Sequence, residues 1–211
     1  MVVTALLALA RWLSCVGGRC HDPAVDIGTF WEIIETARAP AAPGRPVHQC
    51  LARHLAALTE QEILEYQERF DEVHGALYRW DVWAAAYLIG GGCSDDSFID
   101  FRAGLIAQGR DWYDQAAVCP DSLAGHPAVT AATGPAWDRP LFDEQVNYAA
   151  SYAFELVTRD DHAFYDAWQS RQRLDRSLAD MGEEFDFDDG LEMRRRLPRL
   201  SALFLGPIAR A

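Results

Sequence analysis

Apolar positions recur along the chain at intervals of three and four, and no stretch of useful length alternates apolar with polar residues. The pattern predicts an all-α fold: a single globular helical domain of about six to eight helices with an irregular C-terminal tail. Thr29 and Glu32 form a capping box, with Phe30, Ile33, Ile34 and Ala37 on the stripe of a first helix that runs to about Arg38. Ala39–Pro46 carries three prolines and a glycine and reads as a loop, followed by a short helix over Val47–Leu58. Thr59 and Glu62 make a second capping box, and Ile63, Tyr66, Phe70, Val73 and Leu77 continue the longest stripe. Helices are also expected over Leu77–Ile89, from Ser94 onward, over Arg110–Val118, over Leu141–Val157 and over Asp160–Leu178. Asp121–Pro140, rich in Pro, Gly, Ala and Thr, reads as an irregular surface loop.

The helical pattern divides the chain into three parts: a leader (1–25), a helical domain (26–180) and a tail (181–211). The Val2–Ala10 run is too short to span a bilayer and lacks a positive flank, so a start assigned too far upstream explains it as well as an export signal does. In the tail, an acidic run with two interleaved phenylalanines (Met181–Asp189) precedes MRRRLPRLSALFL, where Pro198 interrupts any helix. An arginine triplet beside acids suggests docking of the tail onto the acidic core.

Charge sharpens this picture. Formal net charge is -13, and the acids concentrate at the centre: twelve Asp and Glu against four Arg between Glu60 and Asp114. Such a surface repels phosphate backbones, so no nucleic acid is expected through the core; with the Val2–Ala10 run too short to span a bilayer, no membrane partner is expected either. All nineteen basic residues are arginine. The absence of lysine excludes a Schiff-base lysine, a P-loop lysine and pyridoxal-phosphate attachment, and no cofactor is expected. Five scattered cysteines without a C-x-x-C pair, and six histidines without H-x-H or H-E-x-x-H spacing, argue for reduced cytoplasmic thiols and give no metal motif.

Chemistry-bearing residues gather in Tyr78–Arg110, YRWDVWAAAYLIGGGCSDDSFIDFRAGLIAQGR. Trp80, Trp83 and Tyr87, at i, i+3 and i+7, share a helix face. Gly90-Gly91-Gly92 ends that helix, and three glycines exceed what a cap requires: either the turn is tight or something approaches the backbone. Ser94 stands at an N-cap, with Asp95 and Asp96 in the first turn behind it. The bland reading of the pair is dipole complementation; the sharper one is a carboxylate pair for a divalent metal or acid-base work. Cys93, just ahead of a helix N-terminus, is either a buried structural thiol or a nucleophile. Phe98, Phe101, Leu105 and Ile106 form a core face whose edge holds Arg102, and Asp81 is the expected partner of that guanidinium.

These same residues, with FWEIIETAR near the start and the later PDSLA, closely resemble a largely bacterial domain-of-unknown-function family, DUF 4240, over roughly Ile27 to Val157. The MRRRLPRL tail looks like that of actinobacterial relatives. The resemblance implies no established activity and hence no catalytic residue. Some relatives are fused to WGR-type domains, for which this chain has no room beside the helical domain. Gly90 stands where many relatives carry asparagine.

The expected function is a non-catalytic module that binds an unknown protein or small-molecule partner, with Trp80, Asp81, Trp83, Cys93, Ser94, Asp95, Asp96 and Arg102 as the candidate site. The alternative is an enzyme whose pocket is lined by Trp80, Asp81, Cys93, Asp95, Asp96 and Arg102, with a divalent metal. A regulatory subunit docking through the basic tail is a third reading.

Overall fold

The computed structural model describes residues 24–41, 44–132, 139–171 and 180–206. Among these the helices are α1 (Ile27–Arg38), α2 (Val47–Leu55), α3 (Glu60–Ala76), α4 (Trp80–Gly90), α5 (Asp95–Ala107), α6 (Arg110–Val118), α7 (Pro127–Ala131), α8 (Ala149–Thr158), α9 (Ala163–Arg171), α10 (Gly190–Arg196) and α11 (Pro198–Phe204). Two short 3-10 helices, Pro120–Gly125 and Glu144–Tyr148, complete the all-α fold, and the described residues form no strand. Eight of the α-helices have nine residues or more, in line with the expected six to eight; the others are turns of one or two windings.

α5 is the hub. Phe98 and every residue from Phe101 to Ala107 are buried, so the second half of the helix is enclosed on all sides, and α1, α3, α4, α6 and the Glu144–Tyr148 turn pack around it. α2 bridges α1 and α8, while Phe30, Ile34, Leu51, Leu55, Ile63 and Tyr66 close that half of the core with no exposed surface above 1%. Burial of each such side chain is worth about 1.5–3 kcal/mol, which is why the three- and four-residue stripes, rather than intrinsic propensity, fix the helix faces.

Several boundaries move from their expected places. The N-cap of α1 is Asp26, whose carboxylate accepts from Thr29 N–H at 2.8 Å, so Thr29 and Glu32 lie inside the helix and form no capping box. The box at Thr59 and Glu62 is formed as expected, with both of its hydrogen bonds in place. α4 starts at Trp80, not Leu77: Leu77 caps α3 and is fully buried, and the chain turns through Tyr78 and Arg79.

The expected surface loop from Asp121 to Pro140 is structured and buried through its first half. Pro120 and Pro127 each open a helical turn, where a missing N–H costs nothing, and Asp121, Leu123, His126 and Val129 point inward. Residues 133–138 lie outside the described residues. The expected helix from Leu141 begins only at Ala149: Leu141 has a φ of 70°, which no helix accommodates, and Asp143 caps the intervening 3-10 turn. α9 covers the middle of the expected Asp160–Leu178 helix, whose residues 172–179 lie outside the described residues.

The tail enters as irregular chain through Asp189 and then forms two helices. Pro198 divides them and occupies the first position of α11. The tail docks, but not through its arginines. Met193, Leu197 and Leu200 are buried at 2% exposure or less and join the main core, while Arg195 and Arg196 pair with Glu192 and Glu183 of the tail itself. Asp121 fastens the end: its carboxylate accepts from the backbone N–H groups of Arg199 and Leu200 at 3.0 and 2.9 Å, capping α11 from a distant segment.

Candidate functional site

α4 and α5 meet through a stack of rings. Trp80 lies nearly parallel to Trp83 (5.4 Å between centroids, 7°), Trp83 to Phe98 (4.9 Å, 10°), and Phe98 to Tyr78 (6.0 Å, 28°). The Arg102 guanidinium ends the stack, 4.8 Å from the Phe98 centroid and 4.9 Å from that of Tyr78. The i, i+3 spacing of the tryptophans builds one end of this ladder, and the i, i+4 spacing of Phe98 and Arg102 builds the other.

The triple glycine fixes where the ladder stops. Gly91 (φ 62°) and Gly92 (φ 118°) take conformations that other residues resist, and the Trp83 indole N–H donates to Cys93 O at 3.0 Å just beyond them. Gly90 has a separate role: a Cβ there would sit 2.8 Å from the Phe142 ring. The turn is tight and the backbone is closely approached, so both explanations for three glycines hold at different positions. An asparagine at residue 90 would require that ring to move.

The expected Asp81–Arg102 bridge does not form. Asp81 takes a bidentate ion pair from Arg79, with bonds of 3.0 and 2.5 Å, and Arg79 donates its remaining arm to Ala117 O. Arg102, 6% exposed, donates instead to the backbone carbonyls of Phe98 and His74. Burial draws its pKa down to about 10, which leaves it charged at neutral pH, and the two rings beside it compensate for lost water. Two carbonyls and two π faces therefore serve where a carboxylate was expected.

The remaining predicted residues diverge. Ser94 caps α5 by accepting from Ser97 N–H, and Asp95 and Asp96 stand exposed in the first turn, in their dipole-complementing role. Cys93 is partly buried and its thiol donates to Ser94 O; burial pushes its pKa up to about 12, so it is a poor nucleophile. Among the described residues no three His, Cys, Asp or Glu side chains are grouped so as to hold a metal ion. Nor is any helix among them long and apolar enough to cross a membrane.

What covers the exposed side of the ladder is the tail. Phe187 stands edge-on to Trp80 (5.9 Å) and Trp83 (6.2 Å) and tilts against Tyr87 (5.4 Å), while Tyr87 O–H donates to Asp188 at 2.5 Å. Trp80 N–H, left without a side-chain cap by Arg79, donates to Met181 O at 3.0 Å. Between the segment and α4 lies an open cavity of about 480 Å³, lined by Trp80, Tyr87 and residues 184–188. The tail residues were not foreseen as part of a site, although two phenylalanines inside an acidic run, which solvent alone would not retain, were the available signal.

A family model described as a protein of unknown function, DUF4240, matches residues 26–156. Comparison with curated proteins and with solved structures finds no match.

Proposed function

The chain belongs to the DUF4240 family of proteins of unknown function, and from that premise we propose that it acts in the cytoplasm as a non-catalytic module binding a protein partner through the aromatic face of α4. The observation that carries this reading is the thinness of the cover on Trp80, Trp83 and Tyr87. Among the described residues, the side of these rings turned away from α5 is covered by the irregular 181–188 segment, four of whose acids are exposed. Exposed aromatic clusters of Trp and Tyr are what protein partners use as anchors.

The polar residues that an enzyme would need are committed elsewhere. Asp81 is paired with Arg79, Arg102 faces carbonyls beneath the rings, and Asp95 and Asp96 stand in solvent at a helix end. None of the four lines either of the two cavities best formed among the described residues, where a catalytic constellation would converge on one.

The test is an array of short peptides of varied charge and aromatic content, probed with the purified chain, beside thermal melting with a panel of divalent metals, nucleotides and small metabolites. Aromatic-bearing peptides should be retained, and Trp83→Ala should lose them. A bound metal or metabolite that raises the melting temperature, with no peptide retained, would overturn the reading in favour of the enzyme. A ligand at a hundred times its dissociation constant stabilises by about 2.7 kcal/mol, so neither arm is silent.

A further inference from the structure

We infer that the segment Met181–Asp188 is an internal ligand, and that the face it covers takes, from a partner, an extended acidic peptide carrying two aromatic residues two positions apart. The inference rests on the binding reading above and names the ligand class.

Each part of MGEEFDFD meets a feature suited to it. Met181 O accepts the backbone N–H of Trp80, in the first turn of α4, which has no side-chain cap. Phe187 fills the notch between Trp80, Trp83 and Tyr87, and the next residue, Asp188, accepts from the Tyr87 hydroxyl. Two residues earlier, Phe185 lies under the Arg196 guanidinium at 4.2 Å, and Glu183 pairs with the same arginine at 2.8 Å. The face thus offers one backbone donor, one hydroxyl donor, one cation and one aromatic notch. Donors and a cation select acids; the notch and the guanidinium plane select rings.

No residue of the segment is buried. Gly182, Glu183, Glu184, Asp186 and Asp188 are exposed, whereas Met193, Leu197 and Leu200 behind it are buried in the core and would keep Arg196 in place after the segment left. Its fit is loose in length too. Seven residue steps along α4, from Trp80 to Tyr87, rise about 10 Å, while the seven from Met181 to Asp188 could span about 23 Å if extended. The segment and α4 together line an open cavity of about 480 Å³. A segment held by a few discrete contacts, with none of its residues buried, is a template for a competitor rather than a fixed part of the core.

The test uses the full-length chain and a fluorescently labelled peptide of the sequence of residues 180–189. Its own segment is emptied by Phe185→Ser with Phe187→Ser. If that double variant does not fold by circular dichroism, Phe187→Ala alone, which leaves Phe185 on Arg196, replaces it. The emptied chain should bind the peptide, read by anisotropy, at least tenfold more tightly than the wild type, whose tethered segment competes at high effective concentration. A peptide with both phenylalanines changed to serine should not bind, and Trp83→Ala in the emptied chain should abolish binding. A folded, emptied chain that ignores the peptide, or a wild type that binds it equally well, overturns the inference. Light scattering showing a wild-type dimer that loses its partner on emptying overturns it too, in favour of tail exchange between copies. If the array retains aromatic peptides through Trp83 while this peptide fails, the binding reading stands and only the ligand class is wrong.

Discussion

Gly104→Ala should destabilise the protein even though it improves the helix it sits in. Within α5, alanine is favoured over glycine by about 1 kcal/mol. Against this, a Cβ at residue 104 would stand 2.0 Å from Leu141 O, 2.7 Å from Leu141 C and 2.9 Å from Asp143 N. All three are backbone atoms, so no side-chain rotation relieves the clash, and the 141–143 segment must retreat by more than an ångström. That movement breaks the Asp143 N–H bond to Asp100 O (3.2 Å), worth about 1 kcal/mol, and disturbs buried Leu141 and the Phe142 ring on Phe101. With overpacking at about 1–3 kcal/mol, the net loss should be about 1–3 kcal/mol. For a chain of this size the melting temperature should fall by about 2–4 °C per kcal/mol. Gly75→Ala in α3 is the control: nothing lies within 4 Å of its Cβ, so it should gain about 0.5–1 kcal/mol and melt higher. Both variants are compared by calorimetry at one pH. If Gly104→Ala melts as high as the wild type, the close crossing of α5 by residues 141–143 is wrong.

Further outcomes follow from the same geometry. Burial first, and the Arg102 guanidinium second, draw the His74 imidazole down to about 4 from its ordinary 6.5. Below pH 6.5 the unfolded chain therefore takes up a proton that the folded chain refuses. Stability should be lost as pH falls from 6.5 towards 4, by up to about 3 kcal/mol at the lower end, and a His74→Gln variant should show a shallower slope in pH-dependent urea melts. Asp121→Ala should cost about 1–2 kcal/mol and raise hydrogen exchange at Arg199 and Leu200, whose amides it leaves uncapped. A double-mutant cycle between Asp81 and Arg102 should show no coupling, whereas Asp81 with Arg79 should couple by about 0.5–1 kcal/mol, read from chemical denaturation. At pH 8, iodoacetamide should modify exposed Cys119 faster than Cys93, whose thiol is pushed up to about 12; equal rates by mass spectrometry would contradict the burial of Cys93.

Helix faces were legible because burial of Phe98, Phe101, Leu105 and Ile106 imposes a period that any reader of the chain can see. The Thr59 cap was legible for a similar reason, since its partner lies three residues away. What escaped was long-range. The i, i+4 spacing placed Arg102 beside Phe98 correctly, but nothing local says that the carbonyl of His74, twenty-eight residues earlier, ends α3 there. Asp81 lost the contest for Arg102 because Arg79, two residues away, reaches it in a fork that needs no tertiary fit. The tail misled through its charges: an arginine triplet drew attention to ion pairing while Met193, Leu197 and Leu200 carried the docking. At the site, Trp80, Trp83 and Tyr87 could be placed on one face from spacing alone. Their cover, Phe187, could not.

Met193, Leu197 and Leu200 have a practical bearing on anyone who would shorten this polypeptide. The recurring unit stops at residue 156, yet these three side chains, far downstream, plug the interior of that unit. A fragment trimmed to the recurring unit would carry an open greasy socket beside α4 and should clump on expression, so the boundary of kinship and the boundary of self-sufficient folding fall at different residues.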